Sequence, residues 1–206
     1  MANLMDLLQG QIGETLIDQF SKQLGGADKQ QTQSAVQSAM AMLMGGLTKN
    51  ASKPEGASAL LGALDRDHDG SIMDDLAGFL GGSKTSDNAS MLNGAGILKH
   101  ILGGQQNSAA EMISKASGLD SSKAGNLLAS LAPMVMGMLG KVKKQQNLDQ
   151  GNIFDFLKTS SQSYVQKEPA QRSLLNTLLD KDGDGSILDD VAATGFKSIL
   201  GKLFGR

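Results

Sequence analysis

The sequence contains no cysteine and no tryptophan, a single tyrosine, three prolines and two histidines among its 206 residues. Without a thiol, thiolate catalysis, zinc–thiolate sites and disulfide frameworks are excluded together. At this length the chain holds enough material for one substantial core or two modest ones, so cross-links are not needed for stability. Aromatic residues make up only 3%, which removes the stacking platforms of single-stranded nucleic-acid binders. A net charge of −2 lacks the basic excess that phosphate contacts require, so no nucleic-acid partner is expected. Residues 1–16, "MANLMDLLQGQIGETL", have no basic leader and no continuous apolar run, and they carry Asp6 and Glu14; no secretory signal is expected there. The longest nearly apolar run, "LASLAPMVMGMLG" at 128–140, is shorter than the roughly 20 residues of a spanning helix, so no transmembrane segment is expected. Cytoplasmic placement is the default these features leave, with non-standard secretion as the other route.

The chain is rich in glycine (26) and methionine (11), a composition suited to close helix contacts and an adaptable core. Apolar residues recur at helical spacing. Leu4, Leu8, Ile12, Leu16 and Phe20, flanked by Leu7 and Ile17, line one face of a helix expected to stop at Gly25 and Gly26, since glycine tolerates the left-handed conformation of a helix end. Asp28, with Gln31 three positions on, reads as the cap of a second helix carrying Val36, Met40, Leu43 and Leu47. A shorter helix with Leu60, Leu61 and Leu64 follows, and "LAGFLGG" at 76–82 forms another.

The order then repeats. Residues 118–141, "GLDSSKAGNLLASLAPMVMGMLGK", align without a gap on 26–49, "GADKQQTQSAVQSAMAMLMGGLTK", pairing Asp28 with Asp120, Val36 with Leu128, Met42 with Met134 and Leu47 with Leu139. The shift is 92 residues there and 115 further on, so the second copy carries about 23 extra residues. These include one more helix with Ile153, Phe154, Phe156 and Leu157 on its apolar face, before a polar break at Pro169. The expected fold is an all-α helical bundle built from two duplicated motifs: a first repeat at 1–82, a linker at 83–94 and a second repeat at 95–206. Each repeat alone leaves an apolar face uncovered, so the two are expected to pack together.

The most specific signal is an acidic turn that occurs twice, "DRDHDGSIMDD" at 65–75 and "DKDGDGSILDD" at 180–190. Ten of the 21 acidic residues lie in these two turns, leaving 11 acids against 19 bases elsewhere. Asp65, Asp67 and Asp69, and again Asp180, Asp182 and Asp184, stand on alternate positions ahead of Gly70 and Gly185. A hard cation such as calcium wants six to eight oxygens, and alternate carboxylates before a glycine bend supply them. The carbonyls of Ser71 and Ser186 add one oxygen each. This matches an EF-hand loop through its eighth position and then departs. Position 12, normally glutamate, is Leu76 or Val191, so the closing ligand must come from Asp74 or Asp75 and from Asp189 or Asp190. Two Ca2+ sites, with Mg2+ as a competing occupant, are expected. Two bound divalent ions would move the formal charge from −2 to +2. The metal-free alternative is that the later aspartates merely cap the next helix. It does not explain three converging carboxylates ahead of them.

Weaker candidates stay with ordinary readings. His68 occupies the fourth loop position, which normally faces solvent, and has Gly183 as its counterpart; His100 in "GILKHILGG" reads as a helix-surface residue. Ile72 and Ile187 read as apolar plugs. "MAMLM" and "MVMGM" read as core, with an adaptable partner groove as the alternative. The tail "GFKSILGKLFGR" reads as a packed C-terminal helix, with membrane contact less favoured. No serine, histidine and acid combine recognisably, and the glycine-rich stretches lack phosphate-loop spacing. Neither a catalytic residue nor an organic cofactor is expected.

The duplicated glycine-punctuated helices, with "DxDxDGSIxDD" turns followed by "LAGFLGG", resemble a bacterial family of domains of unknown function related to the YidB-like proteins. The resemblance implies an all-helical bundle with repeated motifs and a bacterial source, and it implies no activity. The expected function is a non-enzymatic, calcium-stabilised structural or interaction module with a protein partner or self-association. The alternative is a membrane-active or secreted effector whose soluble form calcium holds closed.

Overall fold

A computed structural model describes residues 13–72, 78 and 93–167. Among them are seven helices and no strand: α1 Glu14–Gln23, α2 Lys29–Ala51, α3 Pro54–Arg66, α4 Gly94–Leu102, α5 Gln106–Ser117, α6 Ser121–Gln146 and α7 Ile153–Lys167. The first helix buries Leu16 and Phe20 and ends where Gly25 and Gly26 take φ of +77° and +75°, as its pattern implied. Asp28 caps α2, its Oδ1 accepting from the backbone N–H of Gln30 at 2.8 Å and of Gln31 at 3.1 Å. The aligned segments begin their helices at equivalent positions, Lys29 and Ser121. Asp120, unlike Asp28, makes no side-chain cap.

Helices α2 and α6 form the centre. Both are buried on every side through their middles, from Ala39 to Leu47 in one and from Leu131 to Gly140 in the other. A helix apolar all round belongs inside a protein rather than on its surface. The methionines Met40, Met42, Met44, Met134, Met136 and Met138 are all buried there, which places both clusters in the core. Helix α2 packs on the other six helices, and α6 packs on α2, α3, α4 and α5. One apolar cluster therefore runs through elements from both halves of the chain.

By length and composition α6 is long and apolar enough to cross a membrane, more so than the run at 128–140 suggested, yet 72% of its most apolar stretch is buried among the other helices. The inserted helix α7 buries Ile153 and Leu157 and leaves Phe154 and Phe156 partly covered. Polar groups fix its register on α2. The Thr48 and Ser161 hydroxyls bond at 2.9 Å, and the buried Tyr164 hydroxyl donates to the Gln37 carbonyl at 2.6 Å. A buried hydroxyl without such a partner would be costly, so these bonds select one packing of α7 over its neighbours.

Close approach at α4 explains a glycine. Pro133 inside α6 has no N–H, so the Ala129 carbonyl loses its usual helical donor. Helix α4 starts against that carbonyl, and a Cβ on Gly94 would lie 2.0 Å from the Ala129 oxygen. Glycine is required because backbone meets backbone, and nothing at the contact can rotate away. Gly94→Ala should therefore lower stability by about 1–3 kcal/mol in denaturant unfolding, the range for forcing an extra methyl into a packed site. A neutral result would mean that α4 does not sit this close to α6.

Candidate cation site at the first acidic turn

Helix α3 opens with Pro54 at its first turn and closes in the acidic sequence. Asp65 lies in the last helical turn and Asp67 is the C-cap. The N–H groups of Asp67 and His68 both reach back to the Ala63 carbonyl, at 2.9 and 3.1 Å. The chain then bends at Gly70, whose φ of +98° favours glycine. Asp69 stabilises the bend by accepting the Ser71 N–H at 3.0 Å. Ser71 is exposed, and Ile72 is 5% exposed, as an apolar plug would be, although it stands apart from the main apolar cluster.

The turn lies against the end of α6. A Cβ on Gly140 would be 1.7 Å from the His68 carbonyl oxygen, and one on Gly70 would be 3.3 Å from the Lys141 backbone. This contact brings the basic end of α6 to the carboxylates. Lys143 pairs with Asp65, and Lys144 lies 3.3 Å from Asp69. Asp67 pairs with its neighbour Arg66 at 2.9 Å. The Lys143 side chain is only 17% exposed, while Asp65 is open at 63%. Hydrogen bonding from the Ser71 N–H and hydroxyl, helped by the Lys144 ammonium, holds the Asp69 carboxyl below its ordinary value. The two lysines also sit in the last turn of α6, where positive charge complements the helix dipole.

Each of the three described carboxylates thus has a side-chain cation. Among the described residues no group of three or more histidine, aspartate or glutamate side chains is gathered closely enough to hold a metal ion. As donors, Asp65, Asp67, Asp69 and the Ser71 carbonyl offer only oxygen, which suits a hard cation, and the ammonium groups stand where positive charge is required. Asp74 and Asp75 lie outside the described residues, as do Asp180, Asp182, Asp184, Ser186, Asp189 and Asp190 of the second turn.

His68 corrects the sequence expectation. It is 4% exposed rather than facing solvent, and its Nδ1 has no hydrogen-bond partner. The reason is the descent of the turn onto α6, which carries the fourth loop position inward. Burial pushes the His68 pKa below its ordinary value, against an opposing pull from Asp67. His68 and the exposed His100 line a cleft of about 640 Å³ with Leu60, Ile97, Ile101 and Arg66. The lysine partners were also missed from sequence. Their signal was "KVKK" at 141–144, where the alignment places Lys143 and Lys144 opposite Ala51 and Ser52.

The described fold and turn define a class: an all-helical protein with a central helix pair and an acidic turn docked on a basic helix end. More narrowly, the chain belongs to a family of bacterial proteins of unknown function (DUF937), whose model matches residues 6–142. That span takes in the whole first turn and stops one residue before Lys143. No curated protein matches the chain, and no solved structure matches it.

Two outcomes are expected. Gly140→Ala should force the turn off α6, costing about 1–3 kcal/mol in denaturant unfolding; full stability would contradict the close approach. A neutral buried histidine contributes stability that is complete above its ordinary pKa of 6.5 and is lost as pH falls through the lower folded value. Melts of the native chain should accordingly lose stability below about pH 6.5, and His68→Gln should flatten that dependence. An unchanged slope would assign the acid sensitivity to other groups.

Proposed function

We propose that this chain is a non-enzymatic calcium-binding helical protein serving as a structural or interaction module, with its two acidic turns as the metal sites. The observation that carries this reading is the ligand spacing "DxDxDGSIxDD", present twice in one chain. In the first site Asp65, Asp67, Asp69 and the Ser71 carbonyl would contribute oxygens, with Asp74 or Asp75 closing the sphere. In the second, Asp180, Asp182, Asp184, the Ser186 carbonyl and Asp189 or Asp190 would do the same. Aspartate reaches less far than the usual closing glutamate, so weaker binding than in calcium buffers, with magnesium competing, belongs to the same proposal. So do the duplication of the helical motifs, the kinship with YidB-like proteins, cytoplasmic placement and a protein partner or second copy as the binding target.

Two features of the first turn support the reading. Its bend uses glycine at the loop position where such sites need one, and its carboxylates gather positive charge from Lys143 and Lys144 of α6 and from Arg66 of α3. Carboxylates on alternate residues of one turn repel one another unless a cation is shared among them or each is separately paired. Of the separate pairs, Lys144 with Asp69 is open to solvent on both sides, the kind of surface pair that contributes least to stability.

A second reading draws on α6. Its length and apolarity would suit a membrane-active effector, with calcium holding the soluble form closed. Membrane entry would require unpacking the central helix of the core, so the module is favoured. Leakage of dye-loaded liposomes on adding chelator would reverse that order.

The test is a thermal melt in chelator and in millimolar calcium, for the native chain and for Asp67→Ala combined with Asp182→Ala. At a free concentration about 100 times its dissociation constant, a ligand bound only by the folded state adds about 2.7 kcal/mol per site. That corresponds to a rise of roughly 5–10 °C per site for a chain of this size. The double variant should lose the rise. Identical melts of the native chain with calcium, magnesium and chelator would overturn the proposal.

A further inference from the structure

We propose that the cleft between α3 and α4 binds a small aliphatic carboxylate of the free fatty-acid class, a function separate from the calcium reading above. The cleft holds about 640 Å³, within the roughly 300–1,000 Å³ of small-molecule sites. Its shape follows from three backbone contacts. Helices α3 and α4 come together at Asn50, whose carbonyl lies against Gly56 and whose side chain donates to the His100 and Ile101 carbonyls at 2.7 and 3.1 Å. From there they diverge, α4 starting on Ala129 and the chain after α3 seating His68 on Gly140, points about 16 Å apart along α6 at the helical rise. The space between them is floored by Leu47 of α2 and Met136 of α6. Along α3 its wall runs from Gly56 to Arg66, about 15 Å. A Cβ on Gly62 in that wall would meet nothing within 4 Å, so no packing demands a glycine there and its effect is to leave the cleft open.

The lining selects the occupant. Its large apolar side chains are Leu47, Leu60, Ile97, Ile101 and Met136, with no aromatic ring among them, which suits an aliphatic chain rather than a stacked ring. Its amides are already engaged, Asn50 as above and Asn93 by accepting the Gly96 N–H at 2.9 Å. Its one acid, Asp67, is paired with the Nε of Arg66. At the end of α3 a ligand therefore meets nitrogen. Arg66 is 74% exposed, and a guanidinium that gives Nε to one carboxylate keeps four further N–H donors. Beside it His68 is buried with no partner for Nδ1, and a buried polar atom left in that state is costly until something bonds to it. A carboxylate head at Arg66 and His68, with its chain laid along α3 past Leu60 toward Ile97 and Ile101, satisfies both halves of the lining. His100 stands at the opposite corner, beside Asn50, and has no part in holding the head.

The experiment is calorimetric titration of the full chain with decanoate in calcium-free buffer, which keeps the outcome independent of any metal site. 1-Octanol and acetate serve as probes that retain only the apolar or only the charged half. Decanoate should bind, acetate should not, and 1-octanol should bind more weakly than decanoate. Gly62→Leu should fill the cleft and abolish decanoate binding while leaving the thermal melt unlowered, since leucine is the better helix former. Arg66→Gln should weaken decanoate about tenfold, as expected for loss of a hydrogen bond to a charged group, and leave 1-octanol unchanged. His100→Gln should change neither. Absence of decanoate binding to the native chain would overturn the proposal, as would binding that Gly62→Leu leaves intact. Equal affinity for decanoate and 1-octanol, or no effect of Arg66→Gln, would overturn the carboxylate assignment. A Gly62→Leu chain of lowered stability would mean that the cleft is already filled by the protein itself, which also contradicts it.

Discussion

Contact between backbones at Gly140 governs the acidic turn. Helix α6 can receive the His68 carbonyl only because it presents no side chain at that point. Once the carbonyl is seated, the remaining geometry of the turn follows. His68 is carried inward and loses solvent, Gly70 comes to rest on Lys141, and the carboxylates on either side fall within reach of Lys143 and Lys144. The same device operates nearer the start of α6, where Gly94 admits the carbonyl that Pro133 leaves free. Glycine abundance in this chain is therefore a matter of helix spacing as much as of turns. Two positions without side chains bring a loop and a helix onto the central helix closely enough to fix their registers.

The electrostatics of the turn depend on that docking. Five acids packed into eleven residues would destabilise any isolated turn by mutual repulsion. Here two of the three described carboxylates are neutralised by lysines from a distant part of the sequence, and those lysines are themselves favoured where they stand, at the negative end of a long helix dipole. Charge and helix geometry thus support one another.

How much of this was legible in the sequence differs from element to element. The helical class, the stop at Gly25 and Gly26, the cap at Asp28 and the core positions Val36, Met40, Leu43 and Leu47 were readable because each rests on local backbone chemistry or on period alone. Helix α7 was readable from Ile153 and Leu157 for the same reason. The burial of α2 and α6 on every side was not, because a one-sided stripe and a fully buried helix share the same apolar spacing and differ only in what covers the other faces. Helix α5 carries a weak pattern, with Ala109, Ala110 and Ile113 as its main buried residues, and it escaped notice. At the turn, the carboxylate spacing was plain, but the partners were not. Asp65 and Lys143 are 78 residues apart, and no local rule connects them. The inward placement of His68 escaped for the same reason, since it depends on Gly140 rather than on any neighbour in the chain.

The most direct test of the account is a crystal structure of the full chain grown in millimolar calcium, with the anomalous signal used to locate bound ions. The account expects an ion at about 2.3–2.6 Å from carboxylate oxygens of Asp65, Asp67 and Asp69. Carboxylates still paired with the two lysines, and no ion at the turn, would contradict it and reduce the acidic sequence to a charged clasp between α3 and α6.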